Sequence, residues 1–245
     1  ERPKTELEVP LGIDQRKQVV RLNFSSSQSP HLLIGGTTGS GKSEALNTIL
    51  WGMLKHYSEQ ELRLLLIDPK GTELQEFEDL PWVEGDLGVD AADAVEILER
   101  AVREMERRYT AFSAARVKKL SDYIKKVGPM PWWVIVLDEY ADLTLDNDDK
   151  KAVEQLVKKL SAKARAAGIH LIVATQKPTV DVIDTVLKSN LPASLALRVK
   201  TARESMVIME ETGAETLTGM GDAFLRADNK LTRLQCALHE GSSTK

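Results

Sequence analysis

The chain has 245 residues, 42% of them hydrophobic, and a formal net charge of −4. This length allows one large α/β domain or two small ones. The negative balance argues against a protein that coats nucleic acid with its whole surface, although it leaves room for a local basic face. The single cysteine, Cys236, has no partner for an internal disulfide and is expected to be a small strand residue, which fits a reducing, cytoplasmic setting.

Membrane contact by this chain is not expected. Its apolar runs, such as "WWVIVL", are far too short to span a bilayer, and no signal peptide is visible. A membrane tether outside this stretch of sequence stays open.

Residues 1–30 end in the polar stretch "SSSQSP" and are predicted to be a surface lead-in. Short, almost entirely apolar runs follow, as expected for parallel strands covered on both faces. These predicted strands are 31–36, 63–68, 132–138, 170–176 and 194–199. Apolar residues at helical spacing predict helices at 43–57, 90–112 and 148–167.

Strands that alternate with helices predict an α/β domain with a mostly parallel sheet flanked by helices. Near the end of the chain, two runs flank Asp228-Asn229, which predicts a closing β-hairpin at the sheet edge. The expected organisation is a single domain over 31–240, followed by a tail at 241–245.

A phosphate-binding loop is predicted between the first of these strands and the first helix. It satisfies the eight-position phosphate-loop pattern with Gly36, Thr37, Thr38, Gly39, Ser40, Gly41, Lys42 and Ser43. Glycines let backbone N–H groups turn toward phosphates, and the helix that follows favours an anion at its first turn. Lys42 is predicted to reach the terminal phosphates of ATP, and the Ser43 hydroxyl is predicted to ligate Mg²⁺.

Two adjacent acids follow the buried strand "WWVIVL". Asp138 is predicted to hold the Mg²⁺ shell, and Glu139 to polarise a water for in-line attack on the γ-phosphate. Two carboxylates in these roles indicate hydrolysis of the nucleotide.

Polar residues end two more of the predicted strands. Because ligands bind off the carboxyl ends of strands in an open parallel sheet, Asp68 and Gln176 are expected to face the same crevice. Gln176 is predicted to contact the attacking water or the γ-phosphate, with a simple turn residue as the alternative. For Asp68, a cap of the turn at Pro69-Lys70-Gly71 is an equal alternative.

Several stretches together resemble the FtsK/SpoIIIE-type DNA translocases, within the wider group that includes HerA. They occur in the family's order over roughly residues 28–226, and the more specific ones are "GIHLIVATQKPTVDVI" and "GAETLTGMGD". The resemblance implies a RecA-like P-loop NTPase that forms a hexameric ring around double-stranded DNA and moves along it with ATP. It assigns Lys42 and Ser43 to the nucleotide, Asp138 and Glu139 to the second acidic motif, and Gln176 to the sensor.

Ring motors complete each site with an arginine from the neighbouring subunit. The stretch "EMERRY" makes Arg107 or Arg108 the first candidates, and Arg203 the runner-up. The alternative is a solvated helix face on which Glu104, Glu106 and the two arginines exchange salt bridges.

In this family the stretch just past "RRY" touches DNA. Here that stretch is rich in basic residues, which would contact phosphates without reading bases. The predicted contacts are Arg116, Lys118, Lys119, Lys125 and Lys126, with Lys188 a weaker candidate. A solvated charged face is the alternative.

Two functions compete with a DNA motor. A type VII secretion-like ATPase would push protein substrates, but it would not need the lysine cluster. A nucleotide-regulated assembly module would bind ATP without moving anything, and the intact Glu139 argues against it. Strong stimulation of ATP hydrolysis by duplex DNA would favour the motor.

Overall fold

A computed structural model describes residues 6–144 and 149–239, with nine strands and seven α-helices in these ranges. The strands are β1 Glu8–Asp14, β2 Val19–Asn23, β3 Leu32–Gly35, β4 Leu62–Ile67, β5 Trp132–Leu137, β6 Ile169–Thr175, β7 Ala193–Leu197, β8 Asp222–Ala227 and β9 Lys230–Cys236. The helices are α1 Lys42–His56, α2 Ala91–Ala115, α3 Leu120–Lys126, α4 Tyr140–Thr144, α5 Lys150–Lys163, α6 Thr185–Asn190 and α7 Ala202–Met209.

All nine strands form one sheet in the order β2-β1-β9-β8-β7-β3-β6-β5-β4. Strands β7, β3, β6, β5 and β4 are mutually parallel, and the remaining pairs are antiparallel. The parallel strands are the five predicted apolar runs, and β5 and β6 are buried along their whole length. The predicted α/β class with a mostly parallel central sheet is therefore confirmed.

The sheet separates two apolar cores because successive strand residues point to opposite faces. Leu32 and Ile34 pack into the core that α1 covers, whereas Leu33 packs into the core beneath α2, α5 and α7. The predicted helices 43–57 and 90–112 correspond to α1 and α2, and the third corresponds to α5, although its predicted first residue lies outside the described ranges.

Residues 1–30 differ from the expected surface lead-in. Within their described part, β1 and β2 form a hairpin, and β1 pairs with β9, so this segment extends the sheet. Side chains from the segment are at most 2% exposed and belong to the α1-side core: Leu7, Val9, Leu11, Leu22 and Phe24. The strand was hidden in the sequence because Pro10 interrupts it, and the register shifts between Pro10 and Gly12 at this point.

The predicted C-terminal hairpin is present as β8 and β9. Asp228 and Asn229 both have positive φ angles, 50° and 60°, as a two-residue turn of this hand requires. The hairpin does not lie at the sheet edge as expected, because β1 and β2 add two strands outside β9. The predicted tail 241–245 lies outside the described residues.

Candidate active site

The carboxyl ends of β3, β4, β5 and β6 meet at one edge of the sheet, and the polar residues predicted to act together follow them. Strand β6 lies between β3, which leads into the phosphate loop, and β5, which leads into Asp138 and Glu139. Residues from three neighbouring strands therefore face one crevice, as the sequence predicted.

The phosphate loop, residues 36–43, connects β3 to the first turn of α1. Gly39 and Gly41 have φ angles of 77° and 98°, a region that favours glycine. A Cβ on Gly41 would also lie 2.5 Å from the backbone nitrogen of Gly221, because the loop packs closely against the turn before β8. The Gly221 N–H donates to the Ser40 carbonyl at 2.9 Å, which fixes the loop from outside.

Lys42 and Asp138 form a buried ion pair across the crevice, and they are 3% and 2% exposed. Each charge satisfies the other, which offsets the cost of removing both from water. An ammonium group in this position can exchange its carboxylate partner for phosphate oxygens without leaving the first turn of α1.

Glu139 is 1% exposed, and its carboxylate points toward the end of β6. It accepts hydrogen bonds from the Thr175 hydroxyl at 2.9 Å and from the Gln176 N–H at 3.1 Å. Its φ of 50° is rare for a residue with a side chain, and such backbone conformations concentrate at functional sites.

Gln176 links this acid to the phosphate loop. Its side-chain oxygen accepts a hydrogen bond from the Thr38 hydroxyl at 3.0 Å, while its backbone N–H donates to Glu139. The phosphate loop and Glu139 are therefore connected through one residue, which uses its side-chain amide on one side and its backbone N–H on the other.

Asp68 caps a turn, which was the alternative considered for it. Its carboxylate accepts hydrogen bonds from the backbone N–H groups of Lys70, Thr72, Glu73 and Leu74, at 2.8 to 3.1 Å. This ordered loop places Glu73 on the wall of the crevice.

A cleft of about 590 Å³ opens beside the phosphate loop. Lys42 and Ser43 line one side, and the exposed side chains of Met220 and Leu238 provide apolar surface on the other. Cys236 also lines the cleft; burial raises the pKa of its thiol to about 12, so the group stays protonated and unreactive.

The donors expected for Mg²⁺ are the Ser43 hydroxyl at the start of α1 and the Asp138 carboxylate after β5. In the described part of the chain, no group of three or more His, Cys, Asp or Glu side chains is arranged to hold a metal ion by itself. Mg²⁺ commonly uses one or two protein oxygens together with substrate phosphates, so this donor set fits that ion at a nucleotide site.

The two candidate arginines on α2 differ in exposure. Arg107 is 60% exposed, whereas Arg108 is fully buried, and both bind Glu104 at 2.7 Å. Burial lowers the pKa of Arg108, which donates to the Ala167 carbonyl at 2.8 Å. Arg108 thus connects α2 to the turn before β6 and is not available to a neighbouring subunit. Of the salt bridges considered as the alternative, those of Glu104 with both arginines form within the helix, whereas Glu106 pairs with Lys159 on α5 at 3.0 Å.

The predicted DNA contacts lie at the opposite end of the sheet from the phosphate loop. Five of the six predicted contacts are exposed: Arg116, Lys118, Lys119, Lys125 and Lys126. Lys188 on α6 is only partly exposed, and burial lowers the pKa of its ammonium group.

Two adjoining cavities, of about 520 and 260 Å³, lie near these residues at the amino ends of the parallel strands. They share Ser27, Arg165 and Ala166, and none of the described residues that line them is acidic. Lys119 lines the smaller cavity and Lys163 the larger one. Lys163 and Arg165 were not among the predicted contacts because they lie in a helix and a turn far along the chain from the basic cluster.

A family model described as the FtsK/SpoIIIE family matches residues 1–180. The chain belongs to this family. A DNA translocase FtsK from Leptospira interrogans is 39% identical over 235 residues, which cover 92% of this chain and 24% of that protein. A DNA translocase FtsK from Streptococcus pyogenes is 38% identical over an alignment 249 residues long, which covers 95% of this chain and 30% of that protein. The chain thus spans about a quarter to a third of these curated FtsK relatives.

Solved structures show the same fold. The cytoplasmic domain of the type VII secretion ATPase EccC from Thermomonospora curvata aligns with a TM-score of 0.84 at 28% identity, over 100% of this chain and 30% of that one. The pCW3 conjugation coupling protein TcpA, solved with ATPγS, aligns with a TM-score of 0.82 at 24% identity, over 94% of this chain and 66% of that one. The chain therefore has a P-loop ATPase fold.

Among the residues that the structure describes, no helix combines the length and apolar composition needed to cross a membrane.

Proposed function

We propose that this chain is an ATP-hydrolysing motor domain that translocates along double-stranded DNA as part of a ring of copies, with six as the expected number. The observation that carries the proposal is the convergence of Lys42, Asp138 and Glu139 at one edge of the sheet. The identity of 38–39% to DNA translocases named FtsK supports DNA as the substrate. We also propose a cytoplasmic location, which suits the single, buried cysteine.

ATP would bind with its phosphates against the N–H groups of the phosphate loop, where the first turn of α1 also favours negative charge. Lys42 would turn from Asp138 to the terminal phosphates. Ser43 and Asp138 would hold Mg²⁺, which when bound neutralises charge on the phosphate oxygens. Glu139 would accept a proton from the attacking water, and the Gln176 amide would contact that water or the γ-phosphate.

The DNA would lie across the amino ends of the parallel strands. Three cations line the two cavities there: Lys119, Lys163 and Arg165. None of the three makes an ion pair with a carboxylate within the described ranges, so their charges remain available to phosphates. Hydroxyl groups of Ser27 and Ser121 line the same surface, which suits contacts that follow a backbone without reading sequence.

The neighbouring subunit in the ring would supply an arginine to each site. Arg107 is our first choice because its guanidinium group is exposed and, among the described residues, forms hydrogen bonds only with Glu104 on its own helix. Arg203, exposed on α7, is the second choice.

ATP hydrolysis by the purified chain, measured with and without duplex DNA at increasing salt, tests the proposal. We expect duplex DNA to stimulate hydrolysis, and we expect added salt to weaken that stimulation because phosphate contacts release counterions. The Lys42→Ala variant should lose nucleotide binding or turnover, and Glu139→Gln should bind ATP but hydrolyse it at least about 100-fold more slowly. Stimulation by a peptide and not by DNA would support the secretion-like alternative. The 28% identity to the type VII secretion ATPase EccC is the observation that favours this alternative.

The same assay tests the proposed DNA surface. The Lys163→Ala/Arg165→Ala variant should keep its DNA-independent rate and need more DNA for half-maximal stimulation. The matched control removes two exposed cations away from that end of the sheet, Arg103 in the middle of α2 and Lys151 at the start of α5, and should behave as the parent chain. Equal DNA dependence in both variants would place the DNA on another surface.

A further inference from the structure

The stretch "GAETLTGMGD" ends in a turn, residues 218–222, that packs against the phosphate loop. Gly219, Met220 and Gly221 have φ angles of 88°, 53° and 87°, so three consecutive residues adopt the left-handed backbone region. This region is costly for a residue with a side chain such as Met220, and it persists only where surrounding contacts hold it.

Asp222 supplies contacts that close this turn. Its Oδ2 accepts hydrogen bonds from the N–H and the hydroxyl group of Thr218, at 3.0 and 3.1 Å. Its backbone N–H donates to the Gly219 carbonyl at 3.1 Å. Asp222 is 8% exposed, so little water competes for these hydrogen bonds.

Arg233 on β9 fixes the carboxylate of Asp222. The Arg233 Nε is 3.0 Å from Oδ1 and its Nη2 is 2.8 Å from Oδ2, and such paired hydrogen bonds are strong and directional. The guanidinium group also lies over the ring of Phe224, its neighbour across the hairpin, with Cζ 5.8 Å from the ring centre. The turn is therefore tied to the hairpin of β8 and β9.

The same turn determines the direction of one peptide group in the phosphate loop. The Gly221 N–H donates to the Ser40 carbonyl at 2.9 Å, and the Gly221 carbonyl accepts from the Cys236 N–H at 2.8 Å. In a trans peptide unit the C=O and the following N–H point in opposite directions. Because the Ser40 carbonyl points to the turn, the Gly41 N–H points away from it. Among the described residues no backbone carbonyl accepts from this N–H, which leaves it available to an anion.

We propose that Asp222 is a positioning residue for the phosphate loop, because it holds the turn that orients the Ser40–Gly41 peptide for nucleotide phosphates. Without this carboxylate the left-handed turn loses the contacts that close it, and the Gly221 N–H no longer has a fixed position. The inference rests on the proposed ATPase function, because it concerns how the nucleotide is held at the proposed site.

Binding of ATPγS to the full chain, together with steady-state hydrolysis of ATP in the presence of duplex DNA, tests this role. We expect the Asp222→Asn variant to bind ATPγS at least about tenfold more weakly, which is the scale of one lost hydrogen bond to a charged group. The KM for ATP should rise by a similar factor, while kcat at saturating ATP stays within about twofold of the parent value. A merely structural role would instead lower kcat with the folded fraction and leave KM unchanged.

Three arginine variants separate the role of the pair from general stability. Arg233→Met removes the partner of Asp222 from an exposed position and should weaken ATPγS binding at least about threefold, whereas Arg233→Lys keeps the charge and should restore most of the affinity. Arg226→Met is the matched control, because Arg226 lies on the same hairpin and pairs with Glu211 at the opposite end of β8 from the turn. This control should bind ATPγS as the parent chain does.

Parent affinity for ATPγS in a folded Asp222→Asn chain would overturn the inference, and so would a lower kcat at an unchanged KM. Should Asp222→Asn fail to fold, Arg233→Met decides by the same two criteria. Equally weakened binding in Arg226→Met would also overturn the inference, since lost stability alone would then explain the effect.

The Lys42→Ala variant separates these results from the proposed function. Binding of ATPγS that survives in Lys42→Ala contradicts the proposed site itself. Loss of binding in Lys42→Ala beside parent affinity in Asp222→Asn contradicts only the role of Asp222.

Discussion

Arg107 and Arg108 show what a single residue's neighbours in the sequence can and cannot predict. The stretch "EMERRY" identifies two cations on one helix, but adjacent helical positions point about 100° apart, so only one of them can face solvent fully. The choice depends on the turn before β6, whose Ala167 carbonyl accepts from Arg108. That partner is 59 residues away, and no local pattern predicts it.

The placement of the phosphate-loop and acidic residues at one edge of the sheet was predictable because they belong to short, local patterns that follow apolar strands. Their partners were not. The sequence did not predict that Glu139 would contact Thr175, Gln176 and Lys70, since these contacts depend on which strands are neighbours.

Two buried histidines, His31 and His170, lead to a prediction about stability. Burial, with His170 nearby, lowers the pKa of His31 to about 3, and burial lowers that of His170 to about 4. Both values lie below the unfolded value of about 6.5, so the unfolded chain binds more protons as the pH falls from neutral. We expect the free energy of unfolding to decrease by about 1.4 kcal/mol per pH unit for each histidine between about pH 6 and about pH 4.

Urea unfolding at pH values across this range measures the effect. The His31→Gln/His170→Gln variant should show a weaker dependence on pH than the parent chain, whatever its stability at neutral pH. The exposed His56 provides the control, and His56→Gln should retain the parent's dependence. Equal dependence in the parent and the double variant would show that the histidines do not produce it.

At the scale of elements, continuous apolar runs predicted the five parallel strands well, because strands covered on both faces need such runs. The N-terminal hairpin was missed for the opposite reason. Strand β1 contains Pro10 and Gly12, which weaken any strand pattern, and it is stabilised by β9 from the far end of the chain. Position 12 requires glycine, since a Cβ there would lie 2.0 Å from the carbonyl oxygen of Gln235 on β9.

The hairpin should be necessary for folding. Removing residues 1–24 would leave the outer edge of β9 unpaired and would remove five nearly fully buried side chains from the α1-side core. At about 1.5–3 kcal/mol for each, this loss is comparable to the whole stability of a typical domain. We expect the truncated chain to lose its cooperative thermal transition.

Circular dichroism during heating tests this expectation, with a chain that lacks only residues 1–5 as the control. A truncated chain that melts at the control's temperature would show that the hairpin is dispensable, as a surface lead-in would be.

At the scale of the whole molecule, the proposed nucleotide and DNA surfaces lie at opposite ends of the parallel strands. The central strands β5 and β6 run the full distance between them and are buried throughout. Helix α2 and Arg108 join the basic end to the turn before β6, and β6 leads directly to Gln176. The net charge of −4 predicted neither of these surfaces, and it did not predict that they lie at opposite ends of the strands.

Displacement of a third oligonucleotide strand from linear duplex DNA tests translocation most directly, because a protein that moves along the duplex must remove the strand in its path. We predict displacement by the parent chain that requires ATP, and none by Glu139→Gln with the same DNA bound. Hydrolysis of ATP in the presence of DNA while the third strand stays in place would contradict a motor that travels along DNA.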